Sequence, residues 1–598
     1  MPKVEWTWHF EDLAPAQVWS MLADTDRFNE ILGLPAYRLE EIAQPNGTVL
    51  RRGTGKVAGV ELAWEEKPYE WVLHRAFRQI RVFSRGPFRV FGPVLDITSE
   101  GAGSRVVYGL HWEPMNWLGR LSGLRLARNA GRLIGARVTE GAAFLRGEQP
   151  QMYAYRAPPP AAGVRERLET MVRETEATGY GHGLARALAD LLLSSMEVDL
   201  QRLRPKALAK QLGIAPRDAV ELCLAAVKGR MLDMKWDLLC VNCRGAKLTV
   251  PSLDLLPRGA HCPSCNIDYT RDFARNVELT FAPSPLVRSL GIGSYCLSGP
   301  GVTPHVLVQQ LMAPGERRVV AVELPPGVYR LRTLHPGGMA DVDHAGGAFP
   351  GLRATAAGVE ALPPERAGEI VFANDTELEL ALLVETREWV REALTAHDVT
   401  TLQAFRDLFA DAVLRPGDEA GVGQITILFT DLRGSTALYE QIGDAPAFNL
   451  VREHFAVLAR EVRQCDGAIV KTIGDAVMAA FADPVDAVRA ALAIRDSIAA
   501  FDGRLVVKLG LHTGPSIAVN LNDRLDYFGT TVNMAARLQA QSRGGDIVLS
   551  RRLANDPAVR PLLALLPLGE ESLALKGFDT PVPFVRIAPT ASPSLSPA

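Results

Sequence analysis

The feature that most constrains the fold is a set of polar residues near the C-terminus, each at the end of an apolar run or on a short helix. Asp431 follows the run Ile425 to Phe429 in the string FTDLRGST, and Asp475 closes the string KTIGD just before the run Ala476 to Phe481. Short apolar runs of this kind predict buried strands, so the two carboxylates are expected at the ends of neighbouring strands. Two carboxylates placed in this way predict a divalent metal site.

A helix further along the chain carries two more polar residues. In DYFGTTVNMAARL a glycine turn leads into a helix, on which Asn533 and Arg537 lie one turn apart on a single face. Two Mg²⁺ ions about 3.5–4 Å apart can share carboxylates, one ion activating a sugar hydroxyl and the other clamping phosphate oxygens for an in-line displacement. Arg537 can then contact an equatorial phosphate oxygen, and Asn533 can orient the ribose. These are the residue types that cyclisation of a nucleoside triphosphate needs.

The stretch from about Gln424 to Ile587 resembles the class III adenylate/guanylate cyclase catalytic domain. Four strings carry the resemblance, in the family's order and with its spacing: FTDLRGST, KTIGDAVMAAF, HTG and DYFGTTVNMAAR. The resemblance implies a ferredoxin-like α/β sandwich over residues 420–587 that works as a head-to-tail homodimer. Each active site would take its metal ligands from one chain and its other residues from the second chain. The stretch between Gly514 and Asp526 is shorter than the family's usual dimerisation arm.

The resemblance also implies roles for single residues. Asp431 and Asp475 would bind two metal ions, Mg²⁺ or Mn²⁺, and Asn533 and Arg537 would stabilise the transition state. Lys576, in the string LKGF, would contact the triphosphate. Taken singly, each residue also fits an ordinary structural role, such as a helix cap for Asp431. Their joint occurrence favours the catalytic interpretation.

Two further residues bear on the choice of purine. In the family the base is contacted by two residues that correspond here to Lys471 and Asp526. Adenine offers an acceptor at N1 and a donor at N6, which complement a Lys donor and an Asp acceptor, whereas guanine has the opposite polarity at both positions. The guanylate-type members carry Glu and Cys there. The residues therefore predict an adenylate cyclase acting on ATP, with a guanylate cyclase or a catalytically silent nucleotide-binding regulator as alternatives.

A second metal site is predicted from four of the seven cysteines. They form two CxxC knuckles, Cys240 with Cys243 and Cys262 with Cys265, within residues 236–270. This spacing is typical of a zinc ribbon, in which four thiolates hold one tetrahedral Zn²⁺. Because four thiolates fill the coordination shell, the predicted role is structural. A redox role for the knuckles is the alternative.

The N-terminal part, residues 1–150, alternates apolar and polar side chains from Val4 to Phe10 and ends in a long apolar helix from about Trp117 to Leu145. One curved antiparallel sheet around one long C-terminal helix resembles the START-like (polyketide cyclase/SRPBCC) helix-grip fold. The resemblance implies an apolar ligand between sheet and helix, although the aromatic residues fit a plain core as well. On the helix, the residues expected on the inner face are Leu118, Leu121, Leu133, Val138 and Phe144.

The middle of the chain predicts a helical segment followed by strands. Residues 164–235 are expected to be helical, and PKALAKQLGIAPRDAVELCLAAVKGRML resembles a helix-turn-helix or winged helix. Seven Lys or Arg against two Asp or Glu between Gln201 and Arg230 raise the alternative of a DNA-binding regulator. The helix from Ala215 to Lys228 offers few side chains that recognise base edges, so a scaffold is favoured and nucleic acid is not an expected partner. Residues 281–383 predict a small β domain, similar to an uncharacterised domain found ahead of bacterial cyclase domains.

Residues 385–416 are predicted to connect the β domain to the catalytic domain. A helix is expected from about Asp398 to Leu414, stopped by Arg-Pro-Gly, with Leu402, Phe405 and Phe409 on one face. That face is expected to pack against the second chain of a dimer and to carry a signal.

The composition agrees with a multi-domain α+β protein. The 598 residues exceed one domain several times over, and a net charge of −3 with 22% charged residues gives no global sign of a nucleic-acid or membrane partner. No apolar run approaches the roughly 18 residues that span a bilayer, and the start MPKVEWTWHF lacks the features of a signal peptide. We therefore expect a cytoplasmic enzyme regulated by its N-terminal domains, with a disordered tail after Pro589.

Overall fold

The computed structural model describes most of the chain. The described residues are 2–34, 37–57, 59–291, 299–387, 393–409, 419–501, 505–521, 524–578 and 580–589. The expected helical residues 410–414 and the expected disordered tail lie outside them. Within the described part, no helix combines the length and apolar character needed to cross a membrane.

The N-terminal module is a curved antiparallel sheet crossed by one long helix. Its strands are β1 (Lys3–Phe10), β2 (Arg38–Ala43), β3 (Val49–Val57), β4 (Val60–Glu66), β5 (Glu70–Val72), β6 (Ala76–Arg78), β7 (Arg81–Arg85), β8 (Phe88–Glu100) and β9 (Gly103–Pro114). Its helices are α1 (Pro15–Leu22), α2 (Thr25–Ile31) and α3 (Trp117–Leu145).

Helix α3 lies directly against its neighbours. Three of its glycines approach other side chains so closely that a Cβ atom would lie 2.0–2.4 Å from them: Gly123 at Trp112, Gly131 at Trp6 and Gly141 at Met21. Such contacts leave no gap for a ligand at these positions. They favour the plain core over the expected apolar ligand between sheet and helix.

Two apolar residues of α3 do not lie on the expected inner face. Leu121 is 73% exposed and Leu133 is 48% exposed, whereas Val138 is fully buried. At about 100° per residue, Leu133 lies about 140° around the helix from Val138. The prediction is wrong at Leu121 and Leu133 because α3 carries apolar residues on more than one side. Leu121 and Leu133 do not lie on the side that is buried with Val138.

The next module contains five helices, a three-stranded sheet and a two-stranded sheet. The helices are α4 (Val164–Ala177), α5 (Ala185–Ser194), α6 (Glu197–Leu200), α7 (Pro205–Leu212) and α8 (Pro216–Lys228). The strands are β10 (Leu232–Leu239), β11 (Ala246–Val250), β12 (Gly259–Cys262), β13 (Ile267–Thr270) and β14 (Val277–Pro283). Their pairing gives the sheets β11-β10-β14 and β12-β13. The middle of α8 is buried without interruption over residues 219–226. Those turns therefore present no side chains to a DNA groove, which supports the scaffold interpretation.

Eight strands follow, and four of them extend the N-terminal sheet. They are β15 (Val306–Met312), β16 (Arg317–Ala321), β17 (Gly327–Thr333), β18 (Ala340–His344), β19 (Gly351–Thr355), β20 (Gly358–Leu362), β21 (Glu369–Asn374) and β22 (Leu380–Thr386). β15 pairs with β5 through Val308 and Val72, which gives a 13-stranded sheet. The β-rich segment expected over residues 281–383 is therefore joined edge to edge to the N-terminal sheet.

Two short helices replace the single helix expected from Asp398 onward. They are α9 (Ala396–Thr400) and α10 (Gln403–Leu408). The hydroxyl of Thr400 donates to the His397 carbonyl at 3.1 Å, and that of Thr401 donates to the Asp398 carbonyl at 2.8 Å. These hydroxyls bond carbonyls that a continuing helix would use, so α9 ends here.

The C-terminal module is an eight-stranded sheet with helices. Its strands are β23 (Glu419–Leu432), β24 (Ala468–Ile473), β25 (Ala476–Phe481), β26 (Val507–Leu521), β27 (Arg524–Phe528), β28 (Ile547–Ser550), β29 (Leu568–Leu573) and β30 (Val582–Ile587). Its helices are α11 (Ser435–Ile442), α12 (Asp444–Gln464), α13 (Pro484–Phe501), α14 (Thr530–Ala540), α15 (Arg551–Ala554) and α16 (Arg560–Leu563). The strand order is β24-β25-β23-β26-β28-β30-β29, with β27 paired to β26.

The two faces of this sheet pack against different parts of the chain. Leu428 of β23 shares a buried core with α12 and α13. Because side chains alternate along a strand, Ile427 and Phe429 point to the other face, where they share a second core with Trp236 and Phe405. Phe405 is 1% exposed. The apolar face of α10 therefore packs within its own chain and not, as expected, against a second one.

Candidate active site

Asp431 and Asp475 lie next to each other at one end of two inner strands in the eight-stranded sheet of the C-terminal module. Asp431 is near the end of β23, and Asp475 is in the turn between β24 and β25. Strands β23 and β25 are antiparallel, with Thr430 opposite Val477. Asp431 follows Thr430 and Asp475 lies two residues before Val477, so the same register places the two carboxylates near each other. Gly474, with φ of 64°, permits the tight turn before Asp475.

The electrostatics of this pair fit a bound cation. Burial raises the pKa of the Asp431 carboxyl, and the negative charge of Asp475 raises it further, while Lys508 acts in the opposite direction. One buried oxygen of Asp475, Oδ2, has no hydrogen-bond partner among the described residues. A buried carboxylate oxygen without a partner is costly, and a divalent cation with oxygen ligands would satisfy both groups.

Lys471 and Asp526, the two residues expected to contact the purine, form an ion pair. We call them the purine pair. Lys471 Nζ lies 2.6 Å from Asp526 Oδ2. Strands β24 and β27, which carry them, do not pair with each other in the sheet. The side chain of Asp526 is 11% exposed and that of Lys471 is 38% exposed, so the Lys end of the pair remains accessible.

Helix α14 presents Asn533 and Arg537 to solvent. Both side chains are exposed, and within the described residues neither has a hydrogen bond or an ion pair. The helix lies tightly on β26, because a Cβ atom on Gly510 would lie 2.1 Å from the backbone nitrogen of Gln539. The hydroxyl of Thr531 donates to the Pro515 carbonyl at 2.5 Å. These two contacts fix the helix while leaving Asn533 and Arg537 free to meet a ligand.

Lys576 lies on a segment that packs beside α14. It is exposed, whereas the preceding Leu575 is buried in a small core with Leu538 of α14. Lys576 and Arg537 therefore project from adjoining segments.

A buried histidine near the carboxylates was not expected from the sequence. His454 on α12 is fully buried, and within the described residues neither ring nitrogen has a hydrogen-bond partner. Burial lowers the pKa of His454 to about 4, although the negative charge of Asp475 acts in the opposite direction. Its place in the apolar stripe of α12, between Val451 and Leu458, is the signal from which burial follows.

The four cysteines of the two knuckles come together. Their Sγ atoms all lie within 4.8 Å of one another, and Cys243 Sγ lies 3.8 Å from Cys262 Sγ. Four thiolates at about 2.3 Å from a tetrahedral Zn²⁺ would lie about 3.8 Å apart. The donor set and its spacing therefore fit zinc.

The cysteine cluster contacts the 13-stranded sheet at two of its strands. Ser264, in the second knuckle, donates to Glu41 of β2 at 2.6 Å. Arg244, beside the first knuckle, donates to the carbonyl of Thr386 at the end of β22 at 2.7 Å. The cluster thus connects β2, at one edge of the 13-stranded sheet, and β22, an inner strand near the other edge, to the helical module.

Comparison with known families agrees with this geometry at the C-terminus. Residues 418–555 match the adenylate and guanylate cyclase catalytic domain. They form a class III nucleotide cyclase catalytic domain. Residues 168–293 match a family of unknown function (DUF5939).

Individual relatives cover part of the chain. An uncharacterized protein of Mycobacterium tuberculosis is 37% identical over 188 residues, which are 30% of this chain and 47% of that protein. An adenylate cyclase of Anabaena cylindrica is 26% identical over 188 residues, 28% of this chain and 37% of that enzyme. The solved adenylyl cyclase CyaB from P. aeruginosa is 24% identical, with a TM-score of 0.27, over 29% of this chain and 97% of that chain. The chain spans about half the length of the mycobacterial relative.

Proposed function

We propose that the protein is an adenylate cyclase that converts ATP to 3′,5′-cyclic AMP and pyrophosphate. The observation that carries this proposal is the purine pair, in which Lys471 and Asp526 meet at 2.6 Å. A Lys donor beside an Asp acceptor complements N1 and N6 of adenine and opposes the polarity of guanine. A mismatched buried polar group costs about 1–3 kcal/mol, so two mismatches favour ATP over GTP by at least about tenfold.

The remaining residues supply the phosphate end of the site. Asp431 and Asp475 hold two Mg²⁺ or Mn²⁺ ions, which when bound activate the 3′ hydroxyl and neutralise charge on the triphosphate. Asn533 orients the ribose, and Arg537 donates to the phosphate that is attacked. Lys576 contacts the outer phosphates. The exposure of Asn533 and Arg537 supports this assignment.

The experiment on base choice replaces both residues of the purine pair. Purified protein is incubated with Mg²⁺ or Mn²⁺ and either ATP or GTP, and the cyclic product is identified. Wild type is expected to prefer ATP at least tenfold in kcat/KM. The double variant Lys471→Glu with Asp526→Cys is expected to lose that preference. An unchanged ratio would show that the base is selected by other residues.

We also propose that two chains share each active site. Asp526 at the purine end of the site is largely buried within the chain, whereas Asn533, Arg537 and Lys576 at the phosphate end are exposed and open to a second copy. Mixing an inactive Asp431→Ala chain with an inactive Arg537→Ala chain is expected to restore activity, because one heterodimer site receives neither defect. Heterodimers that form and stay inactive would argue for a site within one chain.

The cysteine cluster is proposed to hold one structural Zn²⁺ per chain. The 3.8 Å Sγ–Sγ distance between Cys243 and Cys262 supports this assignment. Elemental analysis of the purified protein is expected to give one zinc per chain. Fully stable protein without metal would contradict the proposal.

We propose that the N-terminal modules regulate the catalytic domain through their shared core. Arg217 at the start of α8 binds Asp466, beyond the end of α12, at 2.9 Å, which ties the helical module to the catalytic sheet. Arg217→Ala is expected to change the basal rate of cyclisation without changing the ATP to GTP ratio. An unaltered basal rate would count against this route of regulation.

A further inference from the structure

Helix α10 lies across the two strands that carry the purine pair. The side-chain carbonyl of Gln403 accepts a hydrogen bond from the backbone N–H of Ile469 at 2.8 Å, two residues before Lys471. Arg406 donates to the backbone carbonyl of Leu525 at 2.8 Å, immediately before Asp526. One short helix from outside the catalytic domain thus contacts β24 and β27 next to both base-contacting residues.

Arg406 holds both sequence neighbours of Asp526. Besides its bond to the Leu525 carbonyl, its guanidinium lies over the ring of Tyr527, 5.4 Å from the ring centre. The Tyr527 hydroxyl in turn donates to the Thr400 carbonyl at 3.2 Å. In the described sheet, β27 pairs with β26 alone, so the contacts from α10 add to those that β24 and α14 make with the strand. The position of Asp526 therefore depends on Arg406.

A cavity of about 360 Å³ lies between α10 and these strands. Its walls include Gln403, Arg406 and Asp407 of α10 on one side, and Lys471, Arg524 and Leu525 on the other. This volume is in the range of small-molecule sites. The cations Lys471, Arg406 and Arg524 outnumber the carboxylates of Asp407 in the wall and of Asp526 beside Lys471, which suits an anionic ligand such as a nucleotide.

We propose that α10 forms one wall of the purine pocket and that Arg406 is a positioning residue for the purine pair. The proposal rests on the nucleotide cyclase function proposed above and adds to it a residue from outside the catalytic domain. The base lies in the cavity with its hydrogen-bonding edge toward Lys471, a wall residue, and toward Asp526, which is paired to Lys471 and is not itself a wall residue. Arg406 acts through β27, fixing Leu525 and Tyr527 so that Asp526 keeps its distance from Lys471.

This arrangement couples the base pocket to the rest of the chain. Phe405, next to Arg406, packs against Trp236 of β10 with ring centres 6.1 Å apart. A displacement of the helical module would therefore move α10 and with it one wall of the pocket. Selection of the base is a property of the full-length chain and not of residues 419–587 alone.

The test compares full-length variants by their kcat/KM for ATP and for GTP. Arg406→Ala is expected to lower the ATP preference at least fivefold, mainly through a higher KM for ATP, and Arg406→Lys to restore part of it. The matched control is Arg217→Ala, which breaks another contact between the same modules, away from the purine pair. An unchanged preference in Arg406→Ala, or an equal loss in Arg217→Ala, would overturn the proposal.

A binding measurement separates this proposal from the proposed function. Calorimetry with 3′-deoxy-ATP and 3′-deoxy-GTP in Mg²⁺ reports base recognition without cyclisation, because both lack the attacking hydroxyl. If wild type forms no cyclic product but Arg406→Ala still loses its preference for 3′-deoxy-ATP, the cyclase function is wrong and the proposal for α10 is supported. If wild type forms product but Arg406→Ala keeps the wild-type preference for 3′-deoxy-ATP, the proposal for α10 is wrong. Should Arg406→Ala not fold, Gln403→Ala, which removes the contact of α10 to Ile469 and a bond within α10, tests the α10 wall from the Lys471 side, and unchanged selective binding in that variant would overturn the proposal.

Discussion

Mild acid should destabilise the catalytic domain through one buried and one half-buried histidine. Burial lowers the pKa of both His454 on α12 and His512 on β26 to about 4, from an ordinary value of 6.5. The unfolded chain takes up a proton near pH 6.5, while the folded chain stays neutral at these residues until about pH 4. Stability from this source is therefore complete above pH 6.5 and is lost as the pH falls from 6.5 toward 4.

The size of the effect follows from the two pKa values. One pKa unit corresponds to about 1.4 kcal/mol, so at pH 5 each histidine costs about 2 kcal/mol relative to neutral pH. Together His454 and His512 would cost about 4 kcal/mol, against a typical stability of about 5–15 kcal/mol for a domain. A loss of this size is measurable without complete unfolding.

The assay replaces His454 by Leu and follows unfolding in urea at pH 7.5 and pH 5. Within the part of the chain that the structure describes, neither ring nitrogen of His454 has a hydrogen-bond partner, so the replacement breaks no such bond. The difference in unfolding free energy between the two pH values is expected to shrink by about 2 kcal/mol. Hydrogen exchange of peptides from α12 and β25 is the readout, because a multi-domain chain does not unfold in one step.

His9 on β1, whose side chain is 60% exposed, provides the matched control. His9→Gln is expected to leave the pH dependence of α12 and β25 unchanged. If His454→Leu keeps the full pH dependence of wild type, the reasoning from burial is refuted.

Three further changes test the site and its support. Asp475→Asn is expected to lower the rate of cyclisation at least about a hundredfold, since the metals lower the free energy of the charged transition state by several kcal/mol. The same variant is expected to lose Mn²⁺ binding measured by calorimetry. Tight Mn²⁺ binding that persists would exclude Asp475 as a ligand. Gly510→Ala forces α14 away from β26 and should cost about 1–3 kcal/mol and lower kcat, whereas Gly569→Ala, where a Cβ meets nothing within 4 Å, should do neither in melting and rate measurements. Cys262→Ser should remove the zinc found by elemental analysis and speed proteolysis of residues 232–270; unchanged cleavage would mean that the cluster is not structural.

The local part of the site follows from the sequence, and its long-range part does not. Asp431 follows one apolar run and Asp475 precedes another, so strand pairing brings them together. The contact of Gln403 with Ile469 joins residues 66 positions apart in different modules, and no periodicity predicts it. The burial of His454 without hydrogen-bond partners among the described residues was not predicted, because the sequence of an apolar stripe does not show whether the ring nitrogens of its histidine have such partners.

The errors on α3 have a related cause. Hydrophobic periodicity identifies a helix and its apolar residues, but α3 carries apolar residues around much of its surface. Which stripe is buried depends on where the sheet lies, and Leu121 and Leu133 fall outside that stripe. The pairing of β5 with β15 could not be predicted either, because the sequence of each strand alone has the pattern of an ordinary edge strand.

That pairing has a consequence during synthesis on the ribosome. Gln309 of β15 donates to the carbonyl of Tyr69, just before β5, at 2.6 Å, across 240 residues of chain. At about 5–20 residues per second, the edge of β5 remains without its partner for roughly 12–48 s after it emerges. An unpaired strand edge is a site for pairing with another nascent chain. The yield of native protein should therefore depend on translation speed and on chaperones that cover this edge.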